Sequence, residues 1–165
     1  MAELAPQERL QPSLLDRLTD NSPDTSAESR DRRVLSMRRL RQAVLRDLAW
    51  LLNTGYLETT QNFGAYPHAR DSVLNYGMPD ITGISVSSAD TASLERAVRD
   101  AIVKFEPRIS PESLAVTISR DETRMGRNSM VFAIEGQLWA EPTPMMLYLK
   151  TEVDLETGDI DVIEA

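Results

Sequence analysis

From residue 33 to 53, apolar side chains recur every three or four positions: Val34, Met37, Leu40, Val44, Leu45, Leu48, Leu51 and Leu52. That spacing lines one face of an α-helix. Arg38, Arg39, Arg41 and Arg46 fall largely off the stripe. Asn53-Thr54-Gly55 predicts its end, with Gly55 able to take a left-handed backbone. A second stripe, Leu94, Ala97, Val98, Ala101, Ile102 and Phe105, predicts a helix over residues 90–105. Pro107 disfavours helical geometry at Glu106 and stops it there.

Beyond residue 113 the period changes from helical to two. Leu114, Val116 and Ile118 alternate with Ala115, Thr117 and Ser119. Met130, Phe132, Ile134 and Leu138 alternate with Val131, Ala133, Glu135, Gln137 and Trp139. These are strand patterns with one buried face. Pro142 and Pro144 set off a further strand over 145–155, and Glu156-Thr157-Gly158-Asp159 predicts a turn into a last strand over 160–163. Between the helices, residues 54–67 read as a polar connector, 72–77 as a helical turn closed by Gly77, and 81–86 as a short apolar piece. Helices followed by strands predict an α+β fold: N-terminal helices packed on a C-terminal antiparallel sheet.

The first 28 residues read as a flexible tail, broken by Pro6, Pro12 and Pro23, ahead of a domain spanning 29–165. Inside the tail, residues 11–18 carry Leu14, Leu15 and Leu18 on one face of a short helix. So short a helix is marginal alone. Its leucines either pack on the domain or dock on a partner.

Composition narrows the chemistry. The chain has 165 residues, no cysteine and one histidine, which excludes disulfides, thiolate catalysis and a two-histidine metal site. No apolar run spans a bilayer, and the opening residues lack the basic and apolar regions of a signal peptide, so a cytoplasmic protein is expected. The net charge of −8 disfavours generic binding to nucleic acid or an anionic membrane, and no direct membrane insertion is expected. The charge is unevenly spread. Seven arginines lie between Arg30 and Arg46, and six acids lie in the last sixteen residues. Such poles suit charged protein partners, or are simply two solvated faces.

Three motifs are specific when taken together: Gln11-Pro12-Ser13-Leu14-Leu15-Asp16-Arg17-Leu18; Leu45-Arg46-Asp47-Leu48-Ala49-Trp50-Leu51-Leu52-Asn53-Thr54 running into Tyr76-Gly77-Met78-Pro79-Asp80; and Phe105-Glu106-Pro107-Arg108-Ile109. In this order the chain resembles the TssE family of type VI secretion baseplate subunits. That family is itself similar to the phage gene-25 wedge proteins, historically called lysozyme-like. The resemblance implies a non-enzymatic structural subunit with no cofactor, in a cytoplasmic baseplate docked at the inner membrane. Its implied neighbours are TssF, TssG and TssK, with the VgrG spike and Hcp tube nearby. The TssB–TssC sheath would grow from it, seated on the C-terminal strands.

The partner-binding residues expected on that basis are Glu106, Pro107 and Arg108, with Leu14, Leu15 and Leu18 of the tail. Pro107 fixes the backbone between a carboxylate and a guanidinium, and Arg108 can make a forked contact. The same spacing also fits an internal pair that fixes the helix-to-strand corner. Acids alternating along the last two strands would either shield a sheet edge or select a basic partner strand.

Two other readings compete. A lysozyme-like peptidoglycan glycosidase needs two carboxyls, one with a raised pKa. Glu58, Glu106 and Glu135 are its candidates, but Arg108 would hold the Glu106 carboxyl down. A free regulatory protein-binding module needs no baseplate at all. His68 reads as a solvated loop residue, and Trp50 and Trp139 as core or interface anchors.

Overall fold

The computed structural model describes residues 13–19, 24, 37–81, 88–120, 129–139, 144–154 and 157–164. Helix α1 spans Leu14–Leu18, α2 Met37–Leu52, α3 Pro67–Arg70 and α4 Ser88–Phe105. Strands β1 (Ala115–Arg120), β2 (Ser129–Leu138), β3 (Met145–Asp154) and β4 (Ile160–Glu164) follow in chain order. They form one antiparallel sheet in the order β1-β2-β3-β4. The α+β expectation therefore holds.

The apolar stripes meet where their periods place them. Leu40, Val44, Leu48, Leu51 and Leu52 of α2 and Leu94, Val98 and Ile102 of α4 are buried. They face the inner side of the sheet, lined by Phe132, Ile134, Leu147, Leu149, Val153 and Ile160. Helix α4 packs on β1 and α2 on β4. Apolar burial of this kind supplies the main force for folding. Gly136 in β2 makes room at the corner, because a Cβ there would lie 2.9 Å from the Ile109 side chain.

The end of α2 differs from the expected left-handed Gly55. The positive φ falls at Gly77 (125°), not Gly55. Two side chains satisfy the last carbonyls of α2: Thr54 Oγ1 donates to Trp50 O at 2.6 Å, and Asn53 Nδ2 to Ala49 O at 2.8 Å. With those acceptors filled, no left-handed residue is needed there. Gly55 instead bridges in parallel to Met78. Gly77 lies so close to Thr54 that a Cβ would sit 2.3 Å from its carbonyl oxygen.

The connector holds a 3₁₀ turn at Leu57–Thr59, and the turn expected before Gly77 is a 3₁₀ turn at Val73–Asn75. His68 stands in α3, which starts on Pro67, rather than in a loop. Of the expected tail, α1 and residue 24 are described. The first three arginines of the basic stretch and the apolar piece beyond Ile81 lie outside the described residues.

Candidate functional site

The corner after α4 is built from a broken helix. Glu106 N still donates to Ile102 O at 2.8 Å, closing the last helical turn, and Pro107 then ends the ladder. Ile109 N donates to Glu106 O at 3.1 Å, so the chain folds back on itself. Arg108 O accepts from Trp139 N at 2.7 Å, and Ile109 bridges to Leu138. The corner is thereby pinned to the end of β2.

This fold-back brings Arg108 against Glu106. Arg108 Nε donates to Glu106 Oε1 at 2.6 Å, and its Nη2 donates to Glu106 Oε2. The backbone N–H of Arg108 adds a bond of 3.2 Å to Oε1. Glu106 is only 3% exposed. Arg108 Nη2 also donates to Asp47 Oδ2 at 2.6 Å, across 61 residues, on α2. Burial works against the charge on Arg108, but the bonds and charges of Glu106 and then Asp47 outweigh it, so its pKa stands above the usual arginine value.

The network continues outward along α2. Arg46 Nε donates to Asp47 Oδ1 at 2.8 Å. Arg46 Nη2 lies equally near that oxygen, as an ion-pair contact without hydrogen-bond alignment. Arg46 Nη1 reaches Asp16 Oδ1 on α1 at 2.6 Å, and Ser13 Oγ donates to Asp16 Oδ2 at 2.6 Å. Burial would raise the Asp16 pKa, but the donors Arg46 and Ser13 prevail and hold it below the usual carboxylate range. Arg46 also lies over the Trp50 ring, 5.2 Å from its centroid. Five ionic side chains therefore link α1, α2 and the corner in one chain of contacts.

The structure gives each of the sequence-predicted site residues a place. Glu106 and Arg108 meet each other within the chain, and Pro107 between them is exposed. Leu14, Leu15 and Leu18 do not pack into the core: they are 70%, 42% and 74% exposed. Helix α1 is held by its charge, through Asp16, while its leucines face solvent. Trp50 and Trp139 are exposed rather than core residues.

The three carboxylates considered for catalysis lie in separate elements. Glu106 is locked in the corner. Glu58 pairs with Arg70 at 2.9 Å, and Glu135 is exposed on β2 opposite Ala115 and Tyr148. Among the described residues, no group of three His, Cys, Asp or Glu is placed to hold a metal ion, and no helix is long and apolar enough to cross a membrane.

Sequence reasoning missed Asp47 as the bridge between two arginines, Arg46 as the hand that holds α1, and Asp16 as its partner. One signal was present: Arg46 and Asp47 are adjacent charges in the otherwise apolar second half of α2, set inside a quoted motif.

The family described as baseplate wedge protein gp25 matches residues 38–143, more than half of the chain, including Arg46, Asp47, Glu106 and Arg108. None of the curated proteins compared matches. Among solved structures, a Geobacter sulfurreducens chain named as a candidate tail lysozyme is similar at 20% identity and a TM-score of 0.46. The match covers 71% of this chain and 92% of that one.

Proposed function

This chain belongs to the baseplate wedge protein gp25 family, and from that premise we propose that it is the TssE-type wedge subunit of a type VI secretion baseplate. It is a non-enzymatic structural part of a contractile, tail-like apparatus. It works in the cytoplasm, in a baseplate docked at the inner membrane, beside TssF, TssG and TssK and near the VgrG spike and Hcp tube. Its C-terminal strands seat the first ring of the TssB–TssC sheath.

One observation carries this reading beyond the family: a short helix presents three leucines to solvent while an ion pair ties it to the domain. A helix of five residues has no stability of its own. Exposed apolar side chains gathered on such an element suit a docking surface. Burying one leucine on a helical wedge partner contributes about 1.5–3 kcal/mol. The Glu106-Pro107-Arg108 corner supplies the second contact. Pro107 and the open edge of Arg108 face the partner, and Glu106 serves as the buried positioning group.

The test is affinity purification of the full chain from its native cells, wild type beside a Leu14→Ala, Leu15→Ala, Leu18→Ala variant. Wild type should bring TssF and TssG with it. The variant should lose them with its melting midpoint unchanged, because the three leucines are exposed. Recovery unaffected by the variant rejects α1 as a docking element. If wild type recovers no baseplate protein and the purified chain clears peptidoglycan, the structural reading fails.

A further inference from the structure

The connector that follows α2 is built inside out. Its ends are tied together where Tyr56 N donates to Met78 O at 2.9 Å and Met78 N to Thr54 O at 2.8 Å. Its centre is a polar side chain. Asn75 is 5% exposed. Its Oδ1 accepts from Glu58 N at 2.9 Å, and its Nδ2 donates to Arg70 O at 3.2 Å. One buried amide therefore joins both 3₁₀ turns and the end of α3. The large apolar side chains lie on the outside: Leu57, Tyr66, Val73 and Leu74 are all exposed, Val73 and Leu74 by 79% and 65%. Leu57 and Leu74 stand next in sequence to Glu58 and Asn75, so the bond between those two residues places both leucines on one lobe. A loop ordered by apolar burial would turn them inward. Apolar side chains held outward on a polar brace mark a contact surface.

The lobe also forms one wall of a cleft. Glu58, Arg70 and Asp71 line it with Asp100 and Lys104 of α4, around a volume of about 390 Å³. The cations there are already matched: Arg70 pairs with Glu58 at 2.9 Å and Lys104 with Asp71 at 3.3 Å. Lys104 lies one turn after Asp100, the spacing of a helical ion pair. Its ammonium turns to the lobe instead, where it also donates to Arg70 O at 2.8 Å. Asp100 is left exposed, with no ion pair among the described residues. The charge this cleft can still accept is positive, and the net charge of −8 steers the same kind of partner towards it.

We propose that this lobe is a docking surface for an amphipathic helix of a protein partner, with apolar residues seated on Leu57, Val73 and Leu74 and a Lys or Arg beside Asp100. Such a helix presents its apolar anchors at three- and four-residue spacing and its charges along the flank. Val73 and Leu74, the more exposed of the three, carry most of the affinity. Asp100, open to water, sets the preference for a basic flank more than the strength of binding. Asn75 is a positioning residue, holding the two turns together without touching the partner. The surface uses neither α1 nor the Glu106-Pro107-Arg108 corner, so it does not depend on the function proposed above.

The test is methyl NMR titration of the full chain with two synthetic helix-forming peptides that share one leucine face and carry either Lys or Glu along its flank. The Lys peptide should shift the methyls of Leu57, Val73 and Leu74 and leave those of Leu14, Leu15 and Leu18 in place. The Glu peptide should bind about twofold to fivefold more weakly, the range of exposed charge pairs. Val73→Ser with Leu74→Ser should weaken the Lys peptide about tenfold or more, with the melting midpoint unchanged because both side chains are exposed. Asp100→Lys should reverse the order of the two peptides. Asn75→Ala should speed exchange of the Glu58 amide and weaken binding while the strand amides stay protected. Shifts at the α1 leucines, equal binding of both peptides, or no shift at Leu57 overturns the docking surface. So does a sedimentation coefficient that rises with concentration in wild type and not in the Val73→Ser, Leu74→Ser variant, which would make the occupant a second copy of this chain.

Discussion

Two ionic clusters of this molecule use similar residues and teach opposite lessons. In the corner cluster, Glu106 is 3% exposed and the side chains of Arg108 and Asp47 are about one-fifth exposed. In the connector cluster, Glu58 pairs with Arg70, and Asp71 with Lys104 at 3.3 Å, yet the side chains of Arg70 and Asp71 are 60% and 77% exposed. Water screens the second cluster and leaves it little to contribute. The first has given up its water, so each member depends on the others being present. The corner cluster also joins elements far apart in the chain. A loss there is felt by α2, α4 and the end of β2 together.

The sharpest way to break the comparison is Arg108→Ala. It strands Glu106 without its partner, and we expect about 3–5 kcal/mol of destabilisation by chemical denaturation. A loss under about 1 kcal/mol would make the corner cluster no different from a surface pair. Next comes Asp47→Ala, which removes the carboxylate shared by Arg46 and Arg108. About 1–3 kcal/mol is expected from leaving their donors short of an acceptor. The thermal midpoint should fall in step.

A smaller effect is set by pH. The Asp16 carboxyl is held below its ordinary value of 3.8, so its contribution is complete above that value and is lost as pH falls through the lowered one. NMR titration of the Asp16 side chain should give a higher pKa in Arg46→Ala than in wild type. An unmoved pKa would detach α1 from the cluster. Smallest of all is Arg70→Ala in the connector. We expect a change within about 1 kcal/mol, shrinking further with added salt.

Much of this contrast lay outside the reach of local pattern. The stripes of α2 and α4 and the alternation along the strands named the core, and among the described residues those they placed inward are buried or partly buried. The Glu106-Pro107-Arg108 corner was visible as a motif, but two outcomes fitted its spacing. The structure pairs Arg108 with Glu106 inside the corner, and the packing of α2 beside the end of α4 sets a second carboxylate, Asp47, against Arg108. The left-handed glycine was misplaced for a related reason. Asn53 and Thr54 filled the carbonyls that Gly55 was expected to relieve, and the close pass of the chain over Thr54 moved the demand to Gly77.

The sequence by itself determined the elements, their inward faces and the order of helices before strands, since periodicity is written in neighbours three, four or two positions away. Tertiary structure alone decided which charges meet. Asp16 with Arg46, Arg108 with Asp47, and Asn53 with Ile160 are separated by 30, 61 and 107 residues. No local period encodes such pairs. They follow from the angle and offset at which two helices settle on one sheet, and from the desolvation that makes a close charge partner obligatory once those layers have closed.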